Sequence, residues 1–194
     1  AVDSLKLGAF EFIQKPFSSE RLLNFLNRAV ENVDLKKEKR DLESKLFYSY
    51  EIIGNSQMMQ KVKSLVTKLA NTESRIFISG PAGSGKELVA RQIHKQSSRA
   101  EKPFVVVNGA LLDPQKYELE LFGSENTNET KNYGFFEKAK DGTLLIDEVT
   151  EIPLETQAKI LRVLIDQKFR RVNSSKEINV NVRITSTSSK NIRE

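Results

Sequence analysis

Arg75-Ile76-Phe77-Ile78-Ser79-Gly80-Pro81-Ala82-Gly83-Ser84-Gly85-Lys86 passes from a short apolar run into a glycine-rich turn that ends on a lysine. Leu88, Val89 and Ile93 follow at helical spacing, so the turn joins a strand to a helix. From Gly80 to Lys86 the pattern is G-x-x-x-x-G-K, and the spacing has a chemical reason. Glycines let backbone N–H groups turn inward around a polyphosphate, and the helix N-terminus adds partial positive charge. The lysine reaches the β- and γ-phosphates. Gly80, Pro81, Ala82, Gly83, Ser84, Gly85 and Lys86 are therefore the candidate nucleotide-binding residues, with ATP as the expected ligand. The next residue would ordinarily carry a hydroxyl for Mg2+; here it is Glu87. A glycine-rich turn with no ligand is the plainer reading of the same residues.

A second element meets the first. Thr143-Leu144-Leu145-Ile146-Asp147-Glu148 is an apolar strand that ends in adjacent carboxylates. Beside a phosphate loop this pair has a use. Asp147 would hold Mg2+, directly or through water, and Glu148 would polarise the attacking water. The strand is expected to lie next to the one that leads into Gly80, with its C-terminal end toward the phosphates.

The rest of the chain is organised around these two points. Phe104–Val107 and Val182–Thr185 read as further short apolar strands, and Ile160, Leu161, Val163, Leu164 and Ile165 as a helix. Short continuous apolar strands alternating with helices mean an α/β protein with a parallel sheet covered on both faces. Upstream, Asn55 or Ser56 caps a helix whose Met58, Met59, Val62, Leu65, Val66 and Leu69 read as one buried face. The single His94 reads as a surface residue. Residues 34–46 are highly charged, with Leu35 and Leu42 seven apart; they read as a coiled coil or as a solvated linker helix. Before them, Ser18 or Ser19 caps a helix that runs to Val33, preceded by a strand-like Ala9–Ile13. Ala1 opens in the middle of a pattern and Glu194 follows an apolar run closely, so a fragment of a longer protein is expected.

Composition bounds the function. With 31 Lys+Arg against 26 Asp+Glu the formal charge is +5 over 194 residues, and the charges are interleaved rather than clustered. The absence of Cys and the single His exclude a disulfide framework and a thiolate or His-rich metal site. No apolar run reaches the ~18 residues a membrane helix needs, so no membrane partner and a cytoplasmic location are expected.

The motifs, taken together, resemble a known family. Gly80–Glu87, Glu120-Leu121-Phe122-Gly123, Gly134–Ala139, Gly142–Glu148 and Gln157–Val163 look like the central domain of bacterial enhancer-binding proteins, the NtrC-type activators of sigma-54 RNA polymerase. The resemblance covers roughly residues 51–194 and implies a three-layer P-loop fold of the AAA+, RecA-like type. Glu87 is usual after the lysine in that family, which adds it to the nucleotide site. The resemblance further implies that Asn108 hydrogen-bonds and orients Glu148, and that Ile52, Ile53 and Gly54 form the adenine side. It also implies that Arg162 and Arg171 act in trans on a neighbouring subunit's nucleotide, where a planar guanidinium can bridge phosphate oxygens. Leu7–Phe17 resembles the end of a response-regulator receiver domain, in which Lys15 would contact a phosphorylated Asp upstream of Ala1. The implied organisation is a receiver remnant over 1–33, a linker helix over 34–50 and an ATP-binding core over 51–194. The implied partners are a second copy, as a dimer through the linker or a ring. A sensor kinase and DNA would be reached only through parts outside this chain.

The sequence also departs from the family. Where the family carries a Gly-Ala-Phe-Thr-Gly-Ala loop that touches sigma-54, this chain has the polar stretch Ser124–Lys131. NtrX-type members can lack the loop, and that branch is the one most resembled. The Asn expected after the last strand aligns with Ser189, which reaches less far toward a phosphate. The leading expectation is therefore the ATP-binding core of an NtrC/NtrX-type regulator that does not itself remodel sigma-54. A competent oligomeric ATPase that activates sigma-54 polymerase, and a dimerisation module with a vestigial nucleotide site, are the alternatives.

Overall fold

A computed structural model describes residues 18–20, 22–31, 33, 50–125 and 132–191. The expected strand at 9–13, the Lys15 contact, the linker over 34–49 and the polar stretch 126–131 lie outside the described residues. The chain divides into two compact units, Ala1–Tyr50 and Glu51–Glu194. In the first, the Leu22 N–H donates to the Ser18 carbonyl at 3.1 Å, so the helix starts at Ser18–Ser19 as the cap residues suggest.

In the second unit the elements are α1 (Gln57–Ala70), β1 (Ile76–Ser79), α2 (Lys86–Lys95), β2 (Phe104–Asn108), α3 (Tyr117–Phe122), β3 (Gly123–Ser124), β4 (Asn132–Tyr133), α4 (Phe135–Lys138), β5 (Thr143–Asp147), a 3-10 turn (Val149–Glu151), α5 (Leu154–Asp166), β6 (Lys168–Arg170), β7 (Glu177–Asn179) and β8 (Arg183–Ser188). Ser56 caps α1, its hydroxyl accepting the Met59 N–H at 3.2 Å. β1, β8, β5 and β2 form one sheet in that order, every pair parallel. A parallel sheet needs cover on both faces. Leu144 and Ile146 of β5 join Tyr117, Leu121, Phe136, Ile160 and Val163 in one core cluster. Ile52, Val66, Ala70, Ile76 and Ile93 form the other, between α1, α2 and β1.

Three readings of the sequence are corrected here. The carboxylate strand β5 does not lie beside β1, because β8 inserts between them. Apolar periodicity marks strands but carries no information on their neighbours, and the last strand in sequence takes the middle of the sheet. His94 is buried rather than exposed: its Nδ1 lies 2.9 Å from the Thr143 hydroxyl and its ring 5.0 Å from that of Phe104. Of the expected α1 face, Val66 is buried and Met59 and Leu69 half-buried, whereas Met58 and Leu65 are exposed. That face spans more arc than the single contact with α2 and β1 covers. The two small antiparallel pairs, β3–β4 and β6–β7, have strands of two or three residues, too short for an alternation to register.

Candidate nucleotide site

The loop between β1 and α2 is shaped by its glycines. Gly83 and Gly85 have φ of +75° and +87°, a region that costs an L side chain energy. A Cβ at Gly83 would meet nothing within 4 Å, so this side of the loop is open to an incoming group. The Ser84 N–H closes a turn onto the Pro81 carbonyl at 3.2 Å, and the first intrahelical bond of α2 runs from Val89 to Gly85 at 3.0 Å. The N–H groups just before Val89 therefore stand at the helix N-terminus without an intrahelical acceptor, which suits an anion.

Lys86 is buried to 8% exposure, and its ammonium needs acceptors. It finds the carbonyls of Gly80 at 3.0 Å and Pro81 at 3.3 Å, and the Glu148 carboxylate at 3.3 Å. Its donors thus sit inside the loop, on partners that a phosphate could replace. The other Glu148 oxygen accepts from both the N–H and the hydroxyl of Ser189, each at 2.8 Å. Burial alone would raise the Glu148 pKa, but the two Ser189 donors and the Lys86 charge outweigh it and hold the carboxyl below the ordinary glutamate value. Ser189 is therefore brought to the site, on Glu148.

Asn108 does not orient Glu148. Its Nδ2 donates to Asp147 Oδ2 at 3.0 Å. Register explains the difference. Asn108 is the cross-strand partner of Asp147 on β2, so the two side chains share a face. Glu148 sits one residue further, in the left-handed region at φ +51°, and turns toward Ser189 and Lys86. The second Asp147 oxygen accepts from the Thr187 hydroxyl of β8. An ionised carboxylate offers about four acceptor sites, so two donors leave room for a cation. Among the described residues no cluster of three His, Cys, Asp or Glu could hold a metal alone. A Mg2+ here would rest on one carboxylate and the ligand's phosphates, which is its common mode.

The other expected residues fall less centrally. The Glu87 side chain is engaged with Arg91 at 2.7 Å, one turn along α2, so what it can offer the loop is its N–H. Ile53 is 83% exposed, while its neighbour Ile52 is buried in the α1–α2 cluster. Gly54 has φ +130° and its carbonyl accepts from Lys63 at 2.9 Å. Arg162 is 84% exposed on α5, its Nε 3.5 Å from the Asp166 carboxylate one turn on. Arg171 is the contrary case. It is buried, and its guanidinium is forked onto Glu137 at 2.8 and 2.6 Å, with Glu125 at 3.4 Å and the Tyr133 ring 5.3 Å away. It ties α4 to the segment that follows β6 and presents no free fork to a neighbour, contrary to the expectation. Arg162, Arg170 and Arg171 line a cavity of about 440 Å3, and of the three Arg162 and Arg170 are exposed.

Residues 52–194 match the family model of the sigma-54 interaction domain. The chain belongs to this family. It is 43% identical over 195 residues to the nitrogen assimilation regulatory protein NtrX of Azorhizobium caulinodans, covering 100% of this chain and 43% of that protein. It is 39% identical over 200 residues to the regulatory protein AtoC of Escherichia coli, covering 100% and 43%. The crystal structure of NtrX from Brucella abortus superposes with a TM-score of 0.80 at 46% identity, over 100% of this chain and 42% of that one. The same Brucella protein has been solved in complex with ATP, and that structure superposes at 0.79 and 46% identity, over 99% and 41%. The chain thus spans about two fifths of these relatives' length. Its sheet order and phosphate loop are those of an AAA+ P-loop domain of the NtrC/NtrX type.

Proposed function

We propose that this chain is the ATP-binding core of an NtrX-type two-component regulator, and that the parent protein controls transcription without remodelling sigma-54 holoenzyme. The observation that carries the first half is the placement of Lys86 and Glu148: a buried ammonium inside the phosphate loop, 3.3 Å from the carboxylate at the end of β5. ATP takes the place of Glu148 at Lys86, the loop N–H groups cradle its phosphates, and Asp147 supports Mg2+. In a competent assembly Glu148 then orients water. Residues 1–33 form the end of a receiver domain, 34–50 a linker helix through which two copies pair, and 51–194 the core. The protein is cytoplasmic, and it meets its sensor kinase and DNA through segments outside this chain.

The second half rests on the polar stretch that follows Gly123. Ser124–Lys131 offers Ser, Glu, Asn, Thr and Lys, with no apolar anchor to bury against a partner. Such side chains lose hydration on docking and gain no fixed partners. The test is capture of sigma-54 by the full-length protein with a transition-state nucleotide analogue, beside in vitro transcription from a sigma-54 promoter. No capture and no ATP-dependent open complex are expected. Stable capture with open-complex formation returns the protein to ordinary sigma-54 activation. That second reading draws on the site itself, where Asp147 and Glu148 are both held in place and Arg162 is exposed.

A further inference from the structure

Thr187 and Ser188 close β8 and Ser189 follows it, and each of these three hydroxyl residues turns to a different partner. Ser189 serves Glu148. Ser188 pairs with the Thr150 hydroxyl at 3.0 Å. Thr187 lies between the two site carboxylates, and no motif in the sequence points to it. It is fully buried. Its oxygen accepts the Glu148 N–H at 3.1 Å, and its hydroxyl bonds Asp147 Oδ1. The direction of the second bond follows from the first. An N–H can only donate, so the single hydroxyl proton is free for the carboxylate.

Asp147 is therefore gripped from both neighbouring strands. Asn108 of β2 holds Oδ2 and Thr187 of β8 holds Oδ1. One donor would leave the carboxylate able to rotate; two donors on opposite sides fix its plane. The threonine is suited to this because a β-branched side chain is stiff at χ1. The same oxygen also supports the N–H of Glu148, a non-glycine residue in the left-handed region, which needs outside bonds to persist. One side chain thus sets both the plane of Asp147 and the turn that presents Glu148.

We propose that Thr187 is a positioning residue of the Mg2+–nucleotide site, acting by orienting Asp147 rather than by touching the ligand. This rests on the assignment of Asp147 as the Mg2+ carboxylate made above. Partners of a metal-ligating group tune affinity even though they do not coordinate, typically by about 10- to 100-fold.

The test titrates the 194-residue chain with ATP at varied Mg2+, and with ATP in EDTA, for wild type, Thr187→Val, Thr187→Ser and Asp147→Asn. Valine keeps the shape and loses the donor; serine keeps the donor. Thr187→Val is expected to raise the Mg2+ needed for half-maximal tightening of ATP by about tenfold, with affinity in EDTA unchanged, and Thr187→Ser to stay within about twofold of wild type. If Asp147→Asn leaves the Mg2+ requirement unchanged, the assignment of Asp147 fails and the proposal with it. If Asp147→Asn raises the requirement and Thr187→Val does not, only the role of Thr187 is overturned. An equal loss of affinity with and without Mg2+ in Thr187→Val also overturns it, since that is damage to the fold. Should circular dichroism show that Thr187→Val does not fold, Thr187→Ala removes the same donor without the valine methyl and is read by the same criteria.

Discussion

Lys86 cannot serve a carboxylate and a γ-phosphate with equal ease, so the pair it makes with Glu148 competes with ATP. Removing the Glu148 charge while keeping its shape should therefore help binding. Glu148→Gln is expected to tighten ATP by about fivefold, the factor that goes with ~1 kcal/mol for a partly exposed ion pair. Calorimetry on the two proteins checks this, and a weaker Glu148→Gln complex would mean that the carboxylate assists ground-state binding. His94 offers a second test at this scale. Burial, opposed by the hydrogen bond that the ring donates to the Lys102 backbone carbonyl, and the charges of Arg183, Arg91 and Arg99 hold its pKa below the ordinary 6.5. Above that value the imidazole is neutral folded and unfolded, and contributes no slope. Below it the unfolded chain takes up a proton that the folded chain refuses, so stability falls as pH falls. Denaturant unfolding at about pH 7.5 and about pH 5.5 should show a loss in wild type that His94→Gln largely removes.

The elements around the site make different demands. Arg171, forked onto Glu137, joins α4 to the segment that follows β6, and its guanidinium is held in the charged form first by the Glu137 hydrogen bonds. Truncation strips the largely covered Glu137 of this ion-pair partner. Arg171→Ala is expected to destabilise by about 3 kcal/mol, the scale for breaking a buried pair, whereas Arg162→Ala stays within about 0.5 kcal/mol. Urea unfolding of both variants measures the contrast. This is also where the sequence was least legible. The phosphate loop was readable because glycine, lysine and spacing each follow from one task, and the β5 carboxylates because they end an apolar run. The partners of those groups were not. Asn108 goes to Asp147 because of cross-strand register, and Thr187 reaches the site because β8 enters the middle of the sheet. Register and strand order are decided by tertiary packing, which leaves no periodic trace. The arginines show the same limit: adjacent residues Arg170 and Arg171 differ wholly in burial, since successive side chains at the end of a strand point to opposite sides.

For the whole molecule the sheet brings together loop, lysine and carboxylates from β1, α2, β5 and β8, but no free arginine from the same chain lies on Lys86 or Glu148 among the described contacts. Charge that develops on a transferring phosphoryl group then has to be met by a neighbour. ATP turnover by this chain is expected near background at low protein concentration, rising more steeply than linearly as copies associate, with Arg162→Ala abolishing the rise. A specific rate that does not change with concentration would contradict the trans assignment. All of this depends on ATP entering the loop between β1 and α2. The most direct measurement is calorimetric titration of Mg2+–ATP into wild type and Lys86→Ala. Removing the ammonium from the loop should weaken binding by at least about 1.5 kcal/mol, more than tenfold, as expected for a charge-assisted contact. Equal affinity of the two proteins would show that the nucleotide, if it binds, does so elsewhere.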